Sequence, residues 1–147
     1  MPTAGRLVAA IVFAALMYYV SLLTIEQMDE GTAPKYFALI NAAIGAVLGW
    51  IVAGSRARGP WLGAVSYGLT AMVAILFWTL LAHAFVAMVK GAMRGRYGAN
   101  ATEAVVDVFR LMMESGMLML TPMIIGVVVG GAIVAGLITE WFARRFN

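Results

Sequence analysis

Four long apolar runs, separated by short polar segments, dominate the pattern of hydrophobic and polar positions along the chain. The runs cover about residues 7–25, 36–53, 61–89 and 116–142. A helix of about 20 consecutive apolar residues is long enough to cross the hydrocarbon core of a bilayer. The pattern therefore predicts an all-α membrane protein in which residues 1–147 form a single bundle of four transmembrane helices. The third run is longer than one perpendicular crossing needs, so we expect that helix to tilt or to project.

The segment between the third and fourth runs has a different periodicity. Glu103, Asp107, Arg110 and Glu114 follow one another at spacings of four, three and four residues, with apolar residues between them. This spacing places the charges on one stripe of a helix. We predict a short amphipathic helix over about residues 103–115, which is too charged to span and which lies at the membrane interface or leans against the bundle.

Composition and charge narrow the class of protein further. Hydrophobic residues make up 63% of the chain and charged residues 12%, against about 45–50% and about 25% in soluble domains. A soluble globular domain and a disordered chain are therefore excluded, and the absence of cysteine excludes disulfides and thiol chemistry in this chain. No basic face is interleaved with aromatic residues, so we expect no nucleic-acid partner.

Lys and Arg residues are divided equally between the two sides of such a bundle. Arg6, Arg56, Arg58, Arg144 and Arg145 lie on the side of the termini, and five other cations lie on the opposite side. The segments on the side of the termini are purely basic, whereas the opposite loops carry six of the seven acids. Because cytoplasmic loops are enriched in Lys and Arg, we expect both termini in the cytoplasm.

Glycines at four-residue spacing mark two of the apolar runs. Gly45 and Gly49 form one pair, and Gly126 and Gly130 form another, with Gly131 next in the chain. Such glycines remove side chains from one stripe of a helix and let a second helix approach closely. We favour packing within the bundle, and an interface with a second copy or with a partner protein is the alternative.

Two polar side chains, Asn41 and His83, lie inside apolar runs. For Asn41 we favour an interhelical hydrogen bond over a substrate contact, because an unpaired amide in hydrocarbon costs free energy. His83 is the only histidine, and an ionisable group at membrane depth suggests a functional site. A proton relay from His83 to Glu140 is the weaker hypothesis, since an interfacial ion pair with Arg144 explains Glu140 more simply.

Methionines are the last candidate for chemistry. Five of the eleven cluster near the fourth run: Met112, Met113, Met117, Met119 and Met123. Thioethers can bind Cu(I), but they also pack adaptably against other surfaces, and we favour packing. The sequence contains no nucleotide-binding loop, zinc signature or catalytic triad. We therefore expect no enzyme activity, no catalytic residues, no metal site and no cofactor.

Several segments spread over the whole chain together carry a family likeness. They are Met1-Pro2-Thr3-Ala4, Glu30-Gly31-Thr32, Asn41-Ala42-Ala43-Ile44-Gly45, Phe77-Trp78, Arg94-Gly95-Arg96-Tyr97-Gly98 and Gly130-Gly131. In these segments the chain resembles the TrgA family of small membrane proteins of alphaproteobacteria, which is named for tellurite resistance. The resemblance implies a location in the bacterial inner membrane and a role in tolerating tellurite, and it supplies no catalytic residues.

Two non-enzymatic roles remain open. An accessory subunit would pack its glycine stripes and its methionine-rich segment against a larger membrane complex. A small oligomeric transporter or channel component would instead place Asn41 and His83 on a shared pathway for an ion or oxyanion. We favour the accessory subunit, because intramembrane polar residues are few. The expected partners are the lipid bilayer and other membrane protein subunits or copies of this chain.

Overall fold

Helices account for nearly all of the chain in the computed structural model, which describes residues 3–146. Within that range the helices are α1 (Ala4–Glu26), α2 (Phe37–Arg56), α3 (Trp61–Met93), α4 (Ala101–Leu118) and α5 (Pro122–Phe146). Helices α1, α2, α3 and α5 are each long and apolar enough to cross a membrane, which confirms the predicted four spans. Met1 and Pro2, which belong to the family likeness, lie outside the described residues.

Several helix boundaries differ from those predicted; α3 ends at Met93 instead of residue 89, and α5 ends at Phe146 instead of residue 142. Helix α2 continues through a π-helical turn at Gly49–Ala53 and ends at Arg56, although glycine and serine predicted a loop from residue 54 onward. The last span begins at Pro122 instead of residue 116. Residues 116–118 still belong to α4, and the non-helical residues 119–121 separate the two helices. Proline is well suited to a first helical position, where its missing N–H has no partner to lose.

Helix α1 packs between α2 and α5, and α3 packs against α5 and, less extensively, against α2. The buried core comes from these helices: Ala9, Phe13, Met17 and Val20 of α1, Ala71, Met72 and Ile75 of α3, and Ile124, Ala132 and Ala135 of α5. Large apolar residues such as Leu7, Val47 and Val73 lie on the outside. Helices that are apolar on both their buried and their outward faces are typical of a lipid environment.

Small residues bring α3 and α5 into backbone contact. A Cβ atom added at Gly68 would overlap the carbonyl oxygen of Ala132, and one added at Gly136 would overlap that of Ala64. Two helices can approach this closely only where side chains are absent. The α3–α5 crossing therefore fixes the positions of the polar side chains that the two helices carry.

Helix α3 is long enough to extend past its neighbours. Its 33 residues correspond to about 50 Å at about 1.5 Å per residue. Beyond His83, α3 runs ten more residues to Met93, and α4 then folds back along it, with Gly116 facing Leu80. Asp107 and Val108 of α4 are buried. The predicted amphipathic segment is thus a helix, and it forms an antiparallel hairpin with the distal part of α3.

Candidate functional site

A chain of hydrogen bonds joins α1, α2 and α3 inside the bundle. The Asn41 side chain, only 2% exposed, donates from Nδ2 to Ser21 Oγ at 2.9 Å. Ser21 Oγ in turn donates to the Met17 carbonyl at 2.6 Å. Asn41 Oδ1 lies 2.6 Å from His83 Nε2. The two polar residues singled out in the sequence are therefore in direct contact within one chain.

The direction of these bonds indicates which nitrogen of the His83 ring donates to Asn41. The Ser21 hydroxyl has one proton and donates it to the Met17 carbonyl, so Ser21 Oγ must accept from the Asn41 amide. That leaves Asn41 Oδ1 toward His83, and a carbonyl oxygen can only accept, so Nε2 carries a proton. In the neutral ring the other nitrogen, Nδ1, then keeps its lone pair. Phe37 packs beside the ring, with centroids 4.8 Å apart.

A small cavity of about 40 Å³ lies next to this hydrogen-bonded chain. We call it the Asn41–His83 cavity; its lining includes Met17, Ser21, Met28, Phe37, Asn41, Thr79, His83, Ser115 and Met119. About 10–15 Å³ suffices for one water molecule, so the cavity can hold a few waters or one ion. Thr79 Oγ1 is buried and lacks a hydrogen-bond partner among the residues that the structure describes.

A second polar site lies at the opposite end of the bundle, around Glu140. The Glu140 side chain is fully buried and accepts three hydrogen bonds. The donors are the Arg58 backbone N–H at 2.8 Å, the Tyr67 hydroxyl at 3.0 Å and Arg144 Nε at 2.7 Å. Arg144 also donates to the Gly59 carbonyl and lies over the Trp61 ring. We call this arrangement the Glu140 clamp, because it ties the 57–60 loop to α3 and α5.

The Glu140 clamp corrects the expectation of a simple interfacial ion pair. The Arg144 partner was predicted, but the carboxylate is inside the protein and also binds a loop and α3. The proposed relay is not formed, since Glu140 contacts Tyr67, which lies 16 residues before His83 on α3. That separation is about 24 Å along a helix. His83 and Glu140 therefore belong to two separate sites.

The predicted interface glycines fall into two groups. Cβ atoms added at Gly45 and Gly49 would lie 2.7 Å from the carbonyl oxygens of Phe13 and Ala9 on α1, and one at Gly131 would overlap Leu16. At Gly126 and Gly130, by contrast, an added Cβ would meet no atom within 4 Å. The first group is used inside the bundle, whereas the second lies on an open face of α5.

The methionine cluster is also divided by the fold. Met113, Met117 and Met123 are exposed on α4 and α5, whereas Met119 lines the Asn41–His83 cavity. Two methionines distant in sequence, Met17 and Met28, line the same cavity. Over residues 3–146, no group of three or more His, Cys, Asp or Glu side chains is placed to hold a metal ion.

Sequence reasoning missed several residues of both sites. Ser21 and Thr79 are hydroxyls in apolar runs, and Tyr67 is one of several aromatic residues in α3. Helical spacing alone does not reveal which of them meets Asn41 or Glu140. A usable signal for Tyr67 was its position between Ala64, Gly68 and Ala71, where small residues predict a close helix crossing.

Comparisons with known proteins add no relative to this description. No protein-family model matches the chain, and no curated protein or solved structure matches it either. The fold itself defines the class: a helical, multi-pass membrane protein with four apolar helices long enough to span.

Proposed function

We propose that this protein is a non-enzymatic accessory subunit of a larger membrane complex, and that it contributes to tellurite resistance as its resemblance to the TrgA family implies. The open glycine face of α5 is the observation that carries the proposal. Tellurite resistance then follows indirectly, through the complex that the subunit supports.

The open glycine face consists of Gly126 and Gly130 with the exposed Val129 and Val134 beside them. Glycines four residues apart are a common contact surface between membrane helices, because the backbones can approach closely. The corresponding pair on α2 is filled by α1. The pair on α5 has no occupant within residues 3–146, so it is available to a helix from another protein.

Helix α4 adds a second apolar surface to the proposal. Val105, Phe109, Met113 and Met117 share one exposed face of α4, and the charged stripe runs beside it. Such a helix can lie in the plane of the membrane interface, with its apolar face buried at the boundary between headgroups and acyl chains and its charged side chains in water. We place α4 at the membrane boundary, where the same methionine-rich face can also pack adaptably against a protein partner.

The location we propose is the bacterial inner membrane, with both termini in the cytoplasm. The two terminal helices share one end of the bundle, since Gly5 lies against Ala143. Arg6, Arg58 and Arg144 all belong to that end, together with Arg56 and Arg145. Apart from the buried Glu140, the charged residues of that end are all basic, which supports a cytoplasmic assignment.

The alternative role, an oligomeric transporter component, draws less support from the geometry. Asn41 is 2% exposed and its partners belong to the same chain. A pathway shared between copies would need this amide on an outer face. The transporter role predicts that Asn41→Ala and His83→Ala lose tellurite resistance at unchanged protein abundance. The accessory role predicts that resistance falls when the open glycine face of α5 is substituted.

Substitutions on the open glycine face provide the test. An added Cβ at Gly126 or Gly130 meets no atom of the described residues within 4 Å, so we expect the fold to persist in Gly126→Leu and Gly130→Leu. Val73→Leu, at a position 68% exposed on α3, is the matched control. After capture from native membranes in a mild detergent, we expect the glycine variants to lose a co-purifying membrane complex and to lower tellurite resistance. Equal recovery and equal resistance in all three variants would refute the proposal.

A further inference from the structure

The Asn41–His83 cavity is lined by several side chains of kinds that can bind a metal ion, and the accessory role does not use them. Three thioether side chains line it, from α1 (Met17), from the turn after α1 (Met28) and from the break between α4 and α5 (Met119). The His83 imidazole lines the same cavity. Packing alone does not require thioethers from three separate parts of the chain to meet an imidazole at one space.

The hydrogen bond to Asn41 orients the His83 ring in a way that suits metal binding. Its Nε2–H donates to Asn41 Oδ1 at 2.6 Å, and in the neutral ring this leaves the lone pair on Nδ1. Metal-binding histidines commonly have their second ring nitrogen held in this way by a carbonyl or carboxylate oxygen, which fixes the tautomer. Asn41 is in turn fixed by Ser21. The three side chains thus set the ring in a form that can bind a cation.

The ligand chemistry selects one class of ion. Thioether sulfur is a soft ligand that suits Cu(I), whereas Mg²⁺ and Ca²⁺ prefer oxygen. Zn²⁺ sites use thiolates, imidazoles and carboxylates, and this cavity offers a single imidazole and neither of the other two groups. All four ligands are neutral, and an uncompensated charge in a low-dielectric interior is costly. A monovalent ion is therefore favoured over a divalent one.

Acidic residues lie close in sequence to one of the cavity's methionines. Met28 is partly buried in the turn after α1, and the exposed Glu26, Asp29 and Glu30 surround it in sequence. Negative charge at the mouth of a site raises the local concentration of cations and their rate of association. The acidic turn thus raises the cation concentration near Met28.

We propose that the Asn41–His83 cavity binds one Cu(I) ion through the thioethers of Met17, Met28 and Met119 and through His83. The available space of about 40 Å³ fits a single ion. The chain contains no cysteine, so no thiol of its own competes for a soft metal. The proposal is independent of the accessory role, because it concerns a ligand inside one chain.

Metal titration of the purified protein, after removal of any affinity tag, tests the site. We use Ag(I) with native mass spectrometry to count bound ions, and Cu(I) under anaerobic reducing conditions in competition with a chromogenic chelator. We expect one ion per chain. The double variant Met28→Leu/Met119→Leu and the variant His83→Gln should each weaken binding at least about tenfold, as even loss of a supporting residue does.

The matched control removes two thioethers from the outside of the protein. Met113→Leu/Met117→Leu changes residues that are 68% and 66% exposed and lie outside the cavity, so binding should be unchanged. Circular dichroism in the same detergent verifies that each variant is folded. Absence of one-to-one binding to the unmodified protein, or equal weakening in the control and cavity variants, overturns the proposal.

Discussion

Glu140 and Glu114 show how strongly the surroundings of a residue decide its role. Both form an ion pair with an arginine four residues away, at 2.7 Å for Arg144 and 2.9 Å for Arg110. Glu114 is mostly exposed, whereas Glu140 is fully buried and binds two further donors. Exposed pairs contribute little to stability. A buried carboxylate with three donors is expensive to disturb, since each donor loses its partner.

Replacing the two glutamates by glutamine separates these effects. We expect Glu140→Gln to lower the free energy of unfolding by about 1–3 kcal/mol, because the amide cannot satisfy the same donors. Glu114→Gln should change the free energy of unfolding by less than about 0.5 kcal/mol. Unfolding in mixed detergent micelles measures both. Equal small effects would contradict the Glu140 clamp.

At the scale of helices, glycines with the same spacing have opposite uses. Gly45 on α2 lies against the α1 backbone, whereas Gly126 on α5 faces open space. We expect Gly45→Ala to destabilise the bundle by about 1–3 kcal/mol through overpacking. Gly126→Ala should be neutral or stabilising by up to about 1 kcal/mol, because alanine favours the helix. The same unfolding assay measures both, and a destabilised Gly126→Ala would argue against an open α5 face.

The α3–α4 hairpin is held near its tip by Tyr97 and Asp107. The Tyr97 hydroxyl donates to the Asp107 carboxylate, and Arg96 lies 3.8 Å from the same oxygen. The hydrogen bond to Asp107, together with burial, raises the pKa of Tyr97 above its ordinary value of 10.0. The folded state therefore favours the protonated phenol. This contribution to stability is complete below about pH 10 and is lost as the pH rises through the raised pKa.

An absorbance titration tests this bond. The difference between the tyrosinate signals of the unmodified protein and of Tyr97→Phe isolates the titration of Tyr97. In Asp107→Asn the anionic acceptor is gone, so we expect the pKa of Tyr97 to fall toward its ordinary value. An unchanged pKa of Tyr97 in that variant would show that Asp107 does not hold the hairpin.

The helices themselves were predictable because each carries its own signal in the apolar pattern. The four spans follow from run length, and α4 follows from its charge spacing. The end of α2 was not predictable, because a π-helical turn depends on how α2 packs against α1. For the sites, Asn41 and His83 stood out as polar residues in apolar runs. That they meet each other, with Met28 nearby, follows only from the relative positions of the helices.

The whole molecule has a polar site near each end and an apolar outer surface. The Glu140 clamp closes the basic end, and the Asn41–His83 cavity lies toward the acidic turn. The hydrogen bonds of both sites are made within the chain, so neither site provides a surface for another protein. We propose the open glycine face of α5 and the apolar face of α4 as the surfaces that contact a partner.

Photo-crosslinking in native membranes tests the proposed partner contact most directly. A photoreactive residue at Val129, 43% exposed beside Gly130, reports on the open face, and one at Val73, 68% exposed on α3, reports on a control face. The accessory role predicts a defined adduct with a different membrane protein from Val129 and only lipid adducts from Val73. Lipid adducts alone from both positions, or an adduct only between copies of this chain, would contradict it.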